Sequence, residues 1–130
     1  MSIRVYWDNF EHTTIQLEVK GNWTWRAFGK QLKIAISMIQ SVTHRVDVVL
    51  NVLGSNGAPT SLVEHINSVI PYLPSNCGTI MMVGKTRKVC DIFASMHNVY
   101  SRAGFDVLLV GSVEQARKGI ILRRQYAKAS

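Results

Sequence analysis

The stretch Val46-Asp47-Val48-Val49-Leu50-Asn51-Val52-Leu53, followed at once by Gly54-Ser55-Asn56-Gly57-Ala58-Pro59, decides the fold. The first part is β-branched and nearly continuously apolar, the composition of a strand covered on both faces. The second part is built of turn residues, so the strand must end there in a loop. Beyond the loop, Ser61 and Glu64 stand at the spacing of a capping box, and Leu62, Ile66, Val69 and Leu73 follow at helical intervals. Pro71 and Pro74 are expected to stop that helix.

Toward the amino terminus the same alternation of elements continues. Trp25, Phe28, Leu32, Ala35, Ile39 and Val42 recur at spacings of three and four, one face of a long helix that ends near Ser41, with Thr24 as its cap. Before it the period falls to two. Ile3, Val5 and Trp7 oppose Arg4, Tyr6 and Asp8, then Ile15, Leu17 and Val19 oppose Gln16, Glu18 and Lys20. Two alternating strands joined by a short polar link make an antiparallel hairpin.

Toward the carboxyl terminus, Thr79–Val83 reads as a short buried strand and Gly84-Lys85-Thr86-Arg87-Lys88 as the next loop. Val89, Ile92, Phe93, Met96, Val99, Tyr100 and Ala103 define an amphipathic helix, stopped by Gly104. Val107–Val110 is another strand, and Ser112 with Gln115 opens a final helix to about Gln125, with residues 127–130 expected to fray. The order is β-β-α-β-α-β-α-β-α. It predicts a single α/β domain over residues 1–130: a mainly parallel five-stranded sheet with an antiparallel edge strand and flanking helices.

Composition narrows the class. The chain of 130 residues is 47% hydrophobic and 18% charged, ordinary values for a globular domain rather than a disordered one. No apolar run approaches the roughly 20 residues needed to span a bilayer, and no secretory signal opens the sequence, so a cytoplasmic location is expected. Cys77 and Cys90 fall at opposite ends of a strand–helix unit and are read as reduced, packing thiols. Basic charge is uneven: residues 1–84 carry a net of +1 and residues 85–130 a net of +6. Such polarity suits an anionic partner, and it equally suits a solvated surface.

Val5-Tyr6-Trp7-Asp8, Gly21-Asn22-Trp23-Thr24-Trp25, His44-Arg45-Val46-Asp47-Val48-Val49-Leu50 and Ser112-Val113-Glu114-Gln115-Ala116-Arg117, taken with the element order, resemble the SpoIIAA-like fold group. That group includes STAS domains and SEC14-type lipid-binding domains, and the nearer likeness is to small bacterial members of unknown function. In anti-sigma-factor antagonists of this fold, the resemblance implies, a serine in an Asp-Ser-Ser-Gly-like motif is phosphorylated at the start of the helix after the central strand. Here the matching stretch is Ala58-Pro59-Thr60-Ser61-Leu62, which keeps hydroxyls at Thr60 and Ser61 but lacks the preceding acid and following glycine. The SEC14 likeness implies a lipid cavity, for which this chain leaves little room.

In an open parallel sheet, ligands sit beyond the carboxyl ends of the strands. Two loops converge there, Gly54–Ser61 and Gly84–Lys88, each leading into a helix amino terminus where backbone N–H groups favour an anion. The candidate anion- or partner-binding residues are therefore Ser55, Asn56, Thr60, Ser61, Lys85, Thr86 and Arg87. The competing reading has Ser61 and Thr86 as simple caps and the cations as solvated. Gly84-Lys85-Thr86 is not a P-loop, because Gly78 precedes it across a strand rather than across a four-residue loop.

Other chemistry is weakly signalled. His12, His44, His65 and His97 are scattered, with no metal-ligand spacing, so no metal and no cofactor are expected. Ser61, His97 and Asp91 make a nominal triad without a nucleophile elbow, and no catalytic residue is assigned. Trp7, Trp23 and Trp25 are read as one packing cluster near the hairpin. Arg117, Lys118, Arg123 and Arg124 could meet phosphates but lack interleaved aromatics, so nucleic acid is a minor expectation. The leading expectation is a non-enzymatic regulatory or protein-interaction module whose cationic loops meet an acidic or phosphorylated partner. The alternative is a protein that binds a lipid or small apolar anion. A homodimer would form through the first helix or the edge strand.

Overall fold

The computed structural model describes residues 2–56 and 62–129. Chain order runs β1 (Ser2–Trp7), β2 (Thr14–Gly21), α1 (Trp25–Gln40), β3 (Val46–Ser55), α2 (Leu62–Val69), a 3-10 turn (Ile70–Tyr72), β4 (Cys77–Val83), α3 (Arg87–Arg102), β5 (Val107–Val110) and α4 (Val113–Ala129). The order read from apolar periodicity is the order observed.

The sheet is five-stranded, and its spatial order is the chain order, β1-β2-β3-β4-β5. β1 is the antiparallel edge, pairing Trp7 with Ile15 and Ser2 with Lys20. All other pairings are parallel, with Ile15 beside Val48, Val49 beside Met81, and Met81 beside Leu108. The hairpin turn is held by Asn9, whose Oδ1 accepts the Thr13 and Thr14 N–H groups at 3.0 and 3.1 Å, an Asx-type turn. His12 takes a positive φ of 56° there.

Successive crossovers to a neighbouring strand, all of one hand, place their helices on one face. Accordingly α1 and α3 pack on the front face with Ile15, Leu17, Val19, Val46, Leu50, Val52, Ile80 and Met82 beneath them. α1 buries Ala35 and Ile39, and α3 buries Val89, Ile92, Met96 and Tyr100. The last helix, α4, crosses the back, where Ala116 and Ile120 cover Val49, Met81 and Val83.

The helix ends follow their side chains. Thr24 Oγ1 accepts the Ala27 N–H at 3.1 Å, Ser112 Oγ accepts that of Gln115 at 3.1 Å, and Gln115 Oε1 accepts that of Gly111 at 2.9 Å. Gly104, at φ +88°, ends the α3 segment as expected. The Ser61–Glu64 box lies partly outside the described residues.

Several expectations are corrected. α2 ends at Val69, before Pro71 as expected, but the chain passes directly into a 3-10 turn that contains Pro71, because a proline is tolerated in a first turn whose N–H has no acceptor. α4 runs on to Ala129, one turn past Gln125. Cys90 is an exposed residue on α3, not a packing thiol, because it lies off the Val89–Ile92–Met96 stripe. Trp7 is separate from Trp23 and Trp25. The antiparallel first strand carries it to the opposite rim, where it stacks on His12 with centroids 4.4 Å apart.

Candidate functional site

Because β2 to β5 run parallel, their carboxyl ends share one rim, and the loops after β3 and β4 emerge there side by side. Lys85, Thr86, Arg87 and Lys88 are all exposed. Gly84 is buried, and a Cβ on it would run into Val89 Cγ1, so glycine lets the chain fold straight from β4 into α3. Lys85 lies across to the β5–α4 loop: its Cε would be 3.5 Å from a Cβ on Gly111.

The polar candidates divide. Thr86 caps α3, its Oγ1 accepting the Val89 N–H at 3.2 Å. Ser55 Oγ accepts the Trp23 indole N–H at 2.9 Å, so it satisfies a buried ring nitrogen rather than facing solvent alone. The Asn56 N–H donates to Gly21 O at 3.0 Å, tying the loop to the end of β2, while the residue itself is exposed. Thr60 and Ser61 lie outside the described residues. The structure therefore brings Ser55, Asn56, Lys85, Thr86 and Arg87 to one rim and gives the cap or anchor roles to Ser55 and Thr86.

Charge is sorted by pairing. The basic carboxyl-terminal residues thought able to meet phosphates are already neutralised. Arg117 donates twice to Asp8, at 2.8 and 2.7 Å, and this pairing raises the guanidinium above its ordinary pKa. Arg123 meets Asp106 at 2.9 Å, Arg124 meets Asp47 at 2.7 Å, and Lys118 meets Glu114 at 3.4 Å. Among the described residues, Lys85, Arg87 and Lys88 form no ion pair within 4.0 Å.

A polar network that the sequence reading passed over sits at the other end of the sheet. Asp47 is fully buried within the apolar run of β3. Its Oδ1 accepts from Arg45 Nε at 2.8 Å and from the Thr79 N–H at 2.7 Å, and its Oδ2 accepts from Arg124 Nε at 2.8 Å. Arg124 also donates to Thr13 O and to Thr14 Oγ1. Thr79 Oγ1 accepts from Arg45 at 2.7 Å and donates to Asp106 at 3.2 Å. A Cβ on Gly78 would run into Arg45 Nε and Asp47 Oδ1, so the network needs a glycine there. One signal was legible: an acid inside a strand covered on both faces requires a cation, and Arg45, two residues away, shares its face.

Beside this network opens a cleft of about 960 Å³ between the carboxyl-terminal half of α4 and the strands β4 and β5. The front-face interior holds small apolar voids. One of about 50 Å³ lies by Trp23, Trp25, Phe28 and His65, and one of about 60 Å³ by Leu17, Ala35 and Val48. Trp23 and Trp25 meet edge to face at 4.9 Å, and Trp25 stacks on His65 at 4.4 Å.

Among the described residues no group of three or more His, Cys, Asp or Glu could hold a metal, and no helix is long and apolar enough to cross a membrane. His97 is turned toward β5, its Nδ1 3.3 Å from Val107 O. No protein-family model and no curated protein matches the chain, so these side chains and their spacing are what any functional reading must rest on.

Proposed function

We propose that the chain is a non-enzymatic interaction module of SpoIIAA-like type that engages an acidic or phosphorylated protein through the β4–α3 loop. The observation that carries this reading is a cluster of cations: Lys85, Arg87 and Lys88 stand exposed within four positions and, among the described residues, without a carboxylate within 4.0 Å, while Arg117, Arg123 and Arg124 are held by Asp8, Asp106 and Asp47. Unpaired cations at the start of a 16-residue helix reinforce its positive end and draw an anionic surface. Ser55 and Asn56 on the adjoining loop add polar rim.

The test is a pull-down with the wild-type chain and a Lys85→Glu/Arg87→Glu variant, each against a lysate with and without phosphatase treatment. Loss of the same acidic proteins in the variant supports the surface, and loss on phosphatase treatment identifies the phosphate as the recognised group. Equal recovery of every partner by both proteins would count against it. The alternative of a lipid or small apolar anion held between the front helices and the sheet has less support, since the voids of about 50 and 60 Å³ there are well below the roughly 300 Å³ of a small ligand pocket.

A further inference from the structure

Tyr126 is 77% exposed and Leu122 56%, two large apolar side chains one turn apart on α4 that together make an exposed apolar patch. Both line the cleft on the back face, across from Phe105, Leu108 and Leu73. Its volume of about 960 Å³ is that of a site for an organic molecule rather than for an ion. Its polar end is built of fixed groups. Arg45 is locked by Asp47 and Thr79, Thr79 passes a hydrogen bond to Asp106, and Asp106 pairs with Arg123.

The charges at this end do not cancel. Among the described residues, Arg45, Arg123 and Arg124 face only Asp47 and Asp106, leaving one positive charge. Cys77, also in the lining, does not supply the missing anion: burial and then the Asp47 charge push its thiol up to about 11, so it stays protonated at neutral pH. The Arg45 and Arg123 side chains are 38% and 41% exposed, open enough to receive a further acceptor.

We propose that this cleft binds an organic monocarboxylate, its carboxylate on Arg45 and Arg123 and its apolar body against Phe105, Leu108, Leu122 and Tyr126. A guanidinium presents paired donors that match a carboxylate. A single negative charge balances the cluster, whereas a phosphate dianion would leave an excess anion in a half-buried site. The site is separate from the β4–α3 loop, at the opposite rim, and does not depend on the reading given above.

Titration of the full chain with 2-naphthoate and with decanoate, followed by amide NMR shifts, tests it. 2-Naphthalenemethanol serves as the neutral control. The expected result is shifts at Gly78, Asp106, Gly119 and Tyr126, with the alcohol binding roughly tenfold or more weakly than 2-naphthoate. Arg123→Gln should weaken the acids roughly tenfold and Tyr126→Ala roughly fivefold. Lys85→Glu/Arg87→Glu should leave them unchanged, which separates this proposal from the loop. Any of three results would overturn it: equal binding of acid and alcohol, shifts confined to the β4–α3 loop, or no saturable binding of either acid. A dimer in sedimentation that Tyr126→Arg breaks would also overturn it, since the cleft would then be covered by a second copy.

Discussion

On the front of the sheet, α1 and α3 bury a broad apolar layer; on the back, α4 buries little more than Ala116 and Ile120 and is tied down by Arg117, Arg123 and Arg124. The difference matters because the two kinds of contact constrain a helix differently. Apolar packing is non-directional and contributes in proportion to area. A buried guanidinium–carboxylate pair contributes little net stability but penalises any displacement that separates its charges. The front therefore supplies the stability, and the back fixes where α4 lies, which in turn shapes the cleft beside it.

The comparison can be broken first at its strong side. Ile39→Ala removes a side chain 2% exposed in the front layer and should cost about 4 kcal/mol in urea unfolding. A loss below about 1 kcal/mol would show that the front layer is not where stability resides. Asp47→Ala strands Arg45 and Arg124 and should cost about 3 kcal/mol. Its distinguishing mark is faster amide exchange in α4 than in α1; equal acceleration of both helices would deny the division of labour.

Smaller effects sharpen it. Arg117 is 54% exposed, so Arg117→Gln should cost only about 1 kcal/mol and loosen the first turns of α4. Lys85→Glu/Arg87→Glu touches neither layer and should change the unfolding midpoint by less than about 0.5 kcal/mol. The smallest effect concerns Glu18, which Arg4 and then Lys20 hold below the usual carboxylate range against the opposing effect of burial. A depressed folded value means its contribution is present above the unfolded pKa and fades as the solution is acidified through the folded one. Glu18→Gln should flatten the acid limb of the stability curve without altering α4 exchange. A steeper limb would reverse the sign.

The front face was legible in the sequence because a stripe such as Val89, Ile92, Met96 and Tyr100 states its own period. The back face was not, for two reasons. Asp47 sits inside an apolar run and is outvoted by its neighbours in any reading of periodicity. Its partner Arg124 is 77 residues away, and no local spacing announces such a contact. α4 also blurs its own stripe, since Ile121 and Leu122, next in sequence to the buried Ile120, are half exposed. The loop candidates fared between these extremes. Topology put Lys85 and Arg87 on the right rim, but the tie between Ser55 and Trp23 depends on a turn geometry that residue types alone do not specify.

That long separation has a consequence for how the chain is made. A ribosome adding roughly 5–20 residues per second needs about 4–15 s to travel the 77 positions from Asp47 to Arg124. During that interval every strand can be translated while the aspartate still lacks one of its two guanidinium partners. The nascent sheet thus waits with a half-paired acid on its uncovered side, a moment at which a chaperone or a misplaced segment would find it most receptive.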